Sequence, residues 1–155
     1  MKPWMVRVAT VAAVLLVLVA VNHSILAKEH IRTDGERIYL ALAPVDPRSL
    51  MQGDYMALRF EITRHIPTGT SGSAGVLVDA NGVATFNPDQ KAPGLRLRYR
   101  IRNGEVWLGT NAWFFEEGTA EHYDGARFGE FRVDRDSGEA VLVGLADKDL
   151  RHLGP

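Results

Sequence analysis

The run VATVAAVLLVLVAV, Val8 to Val21, is broken only by Thr10 and constrains this chain more than any other feature. As a helix it rises about 21 Å, short of the ~30 Å hydrocarbon core of a bilayer. Asn22-His23-Ser24 then gives way to Ile25-Leu26-Ala27, and counted to Ala27 the segment reaches about 30 Å. Lys2, Arg7 and the amino terminus put positive charge ahead of the run, which holds that end in the cytoplasm. Trp4 stands where an interfacial aromatic belongs. A signal peptide has the same charged and apolar regions and is the competing reading. Its candidate cleavage sites, Leu18-Val19-Ala20 and Ile25-Leu26-Ala27, each carry a bulky residue at the first position, which favours an uncleaved anchor. Either reading exports the rest. The chain divides into residues 1–27, a cytoplasmic tip and transmembrane anchor, and residues 28–155, an exported domain.

Beyond the anchor the dominant period is two. Arg37 to Leu42 reads as a first strand, and from Asp54 the alternation is regular. Met56, Leu58, Phe60 and Ile62 face one way, with Tyr55, Ala57, Arg59 and Glu61 on the other. Pro67 to Gly75 reads as a flexible loop. Asn81-Gly82 and Asn103-Gly104 each sit between apolar runs, the strongest short-range hairpin signal. Phe128 to Val133 and Ala140 to Leu145 make a last hairpin across residues 134–138. Only Thr119 to Arg127 looks helical, with Thr119 as the cap. The expected fold is mainly β: an N-terminal transmembrane helix, then one antiparallel β-sandwich or small barrel with one or two short helices. A net charge of -1 gives no bias toward nucleic acid, and the absence of cysteine suits an oxidising compartment.

The densest chemistry lies in PVDPRSLMQGDYMALRF, Pro44 to Phe60. Asp46 before Pro47 has the form of an N-cap followed by proline at the first helical position. Arg48 to Gln52 then make about one turn, and Gly53 supplies the left-handed residue that ends it. Asp54 and Tyr55 open the next strand. Gly53-Asp54-Tyr55-Met56-Ala57-Leu58-Arg59-Phe60 resembles the signature of the GDYXXLXY family of small membrane-anchored bacterial proteins. Ala43-Pro44-Val45-Asp46-Pro47-Arg48 is similar to the segment that precedes it there. Residues 114–118, 129–133 and 141–145 also resemble family blocks. The signature's last tyrosine is Phe60 here, so that position is expected to pack.

The resemblance implies an exported or inner-membrane protein, often encoded beside polytopic membrane proteins, and carries no enzymatic activity with it. The expected setting is the bacterial inner membrane, single-pass, with the C-terminal domain periplasmic and a polytopic membrane protein as partner. No cofactor, metal, small-molecule ligand or nucleic acid is expected. Asp46, Pro47, Arg48, Gly53, Asp54 and Tyr55 form the motif, whether for binding or for structure.

An envelope hydrolase using Asp46, Asp54 or Ser49 is the alternative. Ser49-Leu50-Met51 near a Gly-Asp is similar to type I signal peptidases, but the spacing is wrong and no downstream lysine is marked out as a base. Glu116, Glu117, Glu121 and His122 are the only dense set of potential ligands and read as a solvated helix start. A more specific feature is LRLRYRI. With Leu95, Leu97, Tyr99 and Ile101 toward the core, Arg96, Arg98, Arg100 and Arg102 share the other face as a stripe about 20 Å long. Two readings follow: an outward face neutralised by Glu130 and Asp134 on a neighbouring strand, or a contact for lipid phosphates or an acidic partner.

Overall fold

In the computed structural model, which describes residues 3–43, 51–52 and 55–154, the apolar run lies in one continuous helix, α1 (Pro3–Asp34). Every residue from Pro3 to His30 is exposed. The helix does not stop where the polar sequence begins. Residues 28–34, which composition assigns to the exported domain, extend it by about two turns. Local pairs explain why: His30 Nδ1 lies 2.8 Å from Asp34 Oδ2, and the Thr33 hydroxyl donates to the Glu29 carbonyl at 2.7 Å, both four residues apart. Ile31 is buried where the helix meets the β domain. The Gly35 amide then donates to the Ile31 carbonyl, closing the last turn.

Eleven strands follow among the described residues: β1 (Glu36–Ala41), β2 (Met51–Gln52), β3 (Tyr55–Ala57), β4 (Gly72–Val78), β5 (Val83–Phe86), β6 (Arg96–Arg102), β7 (Glu105–Trp107), β8 (Ala112–Phe114), β9 (Phe128–Val133), β10 (Ala140–Ala146) and β11 (His152–Leu153). Eight form one curled sheet in the order β11-β10-β9-β1-β5-β4-β6-β7, and β2-β3-β8 form a small second one. Among the described residues the expected antiparallel plan holds at every pairing but one, since β1 runs parallel to β5. The curl brings the sheet's two ends together: the Arg98 amide donates to the Gly138 carbonyl at 2.7 Å, joining β6 to the β9–β10 turn.

The alternating pattern places the core correctly. Met56, Leu58, Phe60 and Ile62 are all buried, although only Tyr55–Ala57 is strand and Glu61–His65 is a 3-10 helix. Ile38, Leu40, Leu97, Phe131 and Leu145 lie wholly inside. Phe60 meets Phe131 edge-on at 5.1 Å between ring centroids, a favoured aromatic geometry. Its ring edge comes within 2.7 Å of where a β-carbon on Gly129 would stand, so that position must be glycine for the rings to pack.

Both Asn-Gly hairpins form, by different means. Asn103 and Gly104 have φ of 50° and 78°, as a two-residue primed turn requires. In the other, only Gly82 is left-handed. There the Asp79 carboxylate accepts the amides of Asn81 and Val83, each at 2.8 Å, a local cap.

Several expectations need correcting. Met51 and Gln52 are not the end of a helical turn; they pair with Met56 and Tyr55 as strands. Strand β4 begins at Gly72, inside the stretch read as loop, because its edge pairs with the arginine strand. The Thr119–Arg127 helix shrinks to a 3-10 turn, Ala120–Tyr123, and the Thr119 hydroxyl donates backward to the Glu116 carbonyl rather than capping it.

Candidate functional site

Strand β6 turns the repeated Leu-Arg pattern into two chemically opposite faces. Leu95 and Leu97 are buried, Tyr99 and Ile101 half-buried, and Arg98, Arg100 and Arg102 exposed. Arg96 departs from its neighbours. It is half-buried, and its guanidinium donates to the Ser73 carbonyl at 2.9 Å, the Ser73 hydroxyl at 3.1 Å and the Gln90 carbonyl at 2.8 Å. Those bonds make it a brace between β4 and the loop after β5. The stripe therefore presents three arginines.

Neutralisation by a neighbouring strand does not occur as expected. Glu130 is buried and faces Arg37 at 3.9 Å and His152 Nδ1 at 3.2 Å. Asp134 is engaged in its own turn, accepting the Ser137 amide at 2.7 Å and the Ser137 hydroxyl at 2.6 Å. The Ser137 hydroxyl, followed by that amide, holds its carboxyl below the ordinary 3.8. Among the described residues, Arg98, Arg100 and Arg102 make no ion pair. Even Glu105, directly opposite Arg102 across the hairpin, lies nearest to Arg59, at 3.8 Å.

The curl closes a groove over this face. Arg98, Arg100, Arg102 and Trp107 line it from β6 and β7, and Glu139, just before β10, and Lys28 of α1 line it as well. Trp107 stands opposite Arg100 in the β6–β7 ladder, and the Arg102 guanidinium sits 5.2 Å from its ring centre, within cation–π range. The Trp107 indole N–H is buried and has no hydrogen-bond partner among the described residues. Lys28 pairs with Glu139. Four cations thus line the groove with one carboxylate, Glu139, that is already paired with Lys28. The sequence pointed to the arginines; Lys28, Trp107 and Glu139 were missed, because nothing local links residues so far apart in the chain.

The motif divides differently. Asp46, Pro47, Arg48, Ser49, Gly53 and Asp54 lie outside the described residues. Tyr55 is half-buried, with its ring 5.8 Å from that of exposed Phe114. Leu58 and Phe60 are core residues, and the Leu58 amide donates to the Asn111 carbonyl at 2.7 Å. So the second half of the signature is a packing pattern, and phenylalanine serves at its last position. Glu116, Glu117, Glu121 and His122 are all exposed. A cleft of about 410 Å³, lined by Ala41, Ile62, Ala84 and Phe86 with Glu61 and His65 at its polar side, was not anticipated. In it His65 stacks on Phe86 at 5.6 Å.

A mainly β domain carried on an exposed apolar helix of membrane-spanning length is the class of protein that this architecture defines. The chain belongs to the GDYXXLXY family, whose model, described as GDYXXLXY protein, matches residues 17–145. No curated protein and no solved structure matches it.

Proposed function

We propose that this protein is a non-catalytic, membrane-anchored accessory factor of the bacterial envelope. Its amino terminus is cytoplasmic, its β domain lies on the periplasmic surface, and a polytopic inner-membrane protein is its partner. One observation carries the membrane-anchored part of the reading: an 18-residue stretch of α1 has a mean hydropathy of 2.4, with none of it buried. A helix that is apolar all round needs a non-aqueous surrounding. The charge ahead of it favours the stated orientation.

The helix continues beyond the apolar run and docks on the β domain, where Ile31 is buried and Lys28 pairs with Glu139, so an uncleaved anchor would be joined to the domain without a flexible linker. Tethering also explains how an accessory factor works without a large interface, because confinement raises effective concentration to the millimolar range.

Reporter fusions after Leu26 and at Pro155 should be active only outside the cytoplasm, and fractionation should leave the full chain in the membrane. A soluble mature form beginning near residue 28 would sink the anchor. Purification in gentle detergent should bring down a stoichiometric multi-span protein. Recovery of the chain alone, with envelope-substrate hydrolysis abolished by Asp54→Asn, would replace the accessory reading with an enzymatic one.

A further inference from the structure

We infer that the groove between Lys28 and the three arginines holds the phosphate of an anionic phospholipid headgroup. The inference rests on the anchored reading and assigns a ligand to the β domain's membrane-facing seam.

Position is the first argument. If the hydrocarbon core is spanned by Val8 to Ala27, Lys28 sits at its outer boundary. If the span instead runs from Trp4 to Val21, Lys28 lies about 10 Å beyond that boundary. Headgroups add about 5–7 Å to each side of the core, so the first placement puts Lys28 inside that layer; in the second its Cα lies a few ångström outside and the long side chain reaches back to it. Lys28 is part of the groove wall. The groove and its arginines therefore lie at headgroup depth. This follows from the helix continuing unbroken past Ala27 and docking on the sheet.

Charge is the second. Arg98, Arg100 and Arg102 project from alternate positions, so their Cα atoms span about 13 Å along one face. They line the groove with Lys28, and Glu139 is its one carboxylate among the described residues. Like charges at such spacing repel one another unless an anion lies among them. Guanidinium groups meet phosphate oxygens through paired N–H donors, and the three arginines supply the excess charge because Lys28 is already paired with Glu139. Trp107, with Arg102 against its ring, brings the amphipathic aromatic that favours the membrane interface.

Size is the third. The groove encloses about 80 Å³, well below the roughly 300 Å³ at which pockets for whole organic ligands begin. It fits a small anionic group whose remainder lies elsewhere. A phospholipid has that form: a compact phosphate in the groove, with its acyl chains alongside α1. The exposed flank of α1 next to Lys28, including Val21 and Ile25, is apolar and open to them.

The test uses the full chain in nanodiscs of phosphatidylcholine with phosphatidylglycerol, released for native mass spectrometry so that retained lipids are counted. Phosphatidylglycerol should be retained in preference to phosphatidylcholine. Each arginine changed to glutamine at 98, 100 and 102 should lower that preference about fivefold, the factor for one basic side chain at an anionic surface. Arg64→Gln with Arg151→Gln, both exposed and outside the groove lining, should leave it intact. Should the triple glutamine chain fail to fold, the triple lysine chain, which keeps the charge, serves in its place and should retain a weaker preference. Equal retention of the two lipids, or a preference unaltered by the glutamine changes, overturns the assignment. So does displacement of the retained phosphatidylglycerol by added inorganic phosphate, which would make the groove a free-anion site. A multi-span partner lost with the arginines while lipid retention stays unselective would assign the groove to protein. A chain that leaves the nanodisc altogether refutes the anchor itself; one that stays without lipid preference refutes only this inference.

Discussion

The apolar half of α1 and the core of the curled sheet are built from the same residue types with opposite burial. Leu16 and Val19 are 70% and 69% exposed, whereas Leu40 and Leu97 are wholly inside. Richness in valine and leucine cannot separate them. What separates them is period. Around α1 the apolar residues occupy every face, so no rotation buries them against a single sheet. Along β6 they alternate with arginines, which gives one buried and one exposed face. The first pattern calls for a surrounding apolar medium and the second for one packed layer. Ile31 marks the border, being the residue at which the helix passes from unpartnered to packed.

Removing matched side chains from the two regions gives the largest effect. Phe60→Ala should cost the β domain about 3–5 kcal/mol by opening a cavity against Phe131. Leu16→Ala should change its melting by less than about 0.5 kcal/mol. Near-ultraviolet circular dichroism of the full chain in detergent, followed through denaturant titration, measures both. Equal losses would mean that the helix is part of the core and would dissolve the contrast.

At the border, Ile31→Ala should cost about 2–5 kcal/mol, toward the low end because the site is at the domain edge. The same titration reads it. No change would show that α1 and the sheet are independent units, with the helix end merely resting on β9 and β10.

Tight packing within the sheet predicts a smaller loss. Gly129→Ala places a methyl within 2.7 Å of the Phe60 ring and 3.1 Å of both Leu142 and Phe131, which should cost about 1–3 kcal/mol through overpacking. If the variant melts like the parent, the Phe60–Phe131 contact is looser than its geometry.

Smallest is the acid response of the polar turns. Ser137 lowers the Asp134 carboxyl, and chiefly the Arg151 amide lowers that of Asp147. A carboxyl depressed in the folded state adds stability above its unfolded value, and the contribution fades as pH falls through the folded one. From neutrality down to about pH 4 these two groups should add a constant amount, with their share lost only below that. Asp134→Asn together with Asp147→Asn should flatten that part of the stability curve. An acid loss of the same size that survives in the double variant would show that these two turns are not its source.

Periodicity and turn chemistry made the exposed helix, the burial of Met56, Leu58, Phe60 and Ile62, the three hairpins and the arginine face legible in the sequence alone. These depend on which way a side chain points within its own element, and that is a local property of backbone geometry. The parallel pairing of β1 with β5, the strand at Met51–Gln52 and the meeting of Lys28 with Arg98, Arg100 and Arg102 were not legible. Nor was the partner of Glu130, whose spacing matched the arginines in sequence but which the sheet places beside Arg37 and His152. Such contacts depend on which strands become neighbours and on how far the sheet curls. Pairing of β1 with β9 brings α1 beside β10 and so Lys28 beside Glu139, more than a hundred positions on, and the curl of the sheet brings β6 to the same place; no local pattern records either distance.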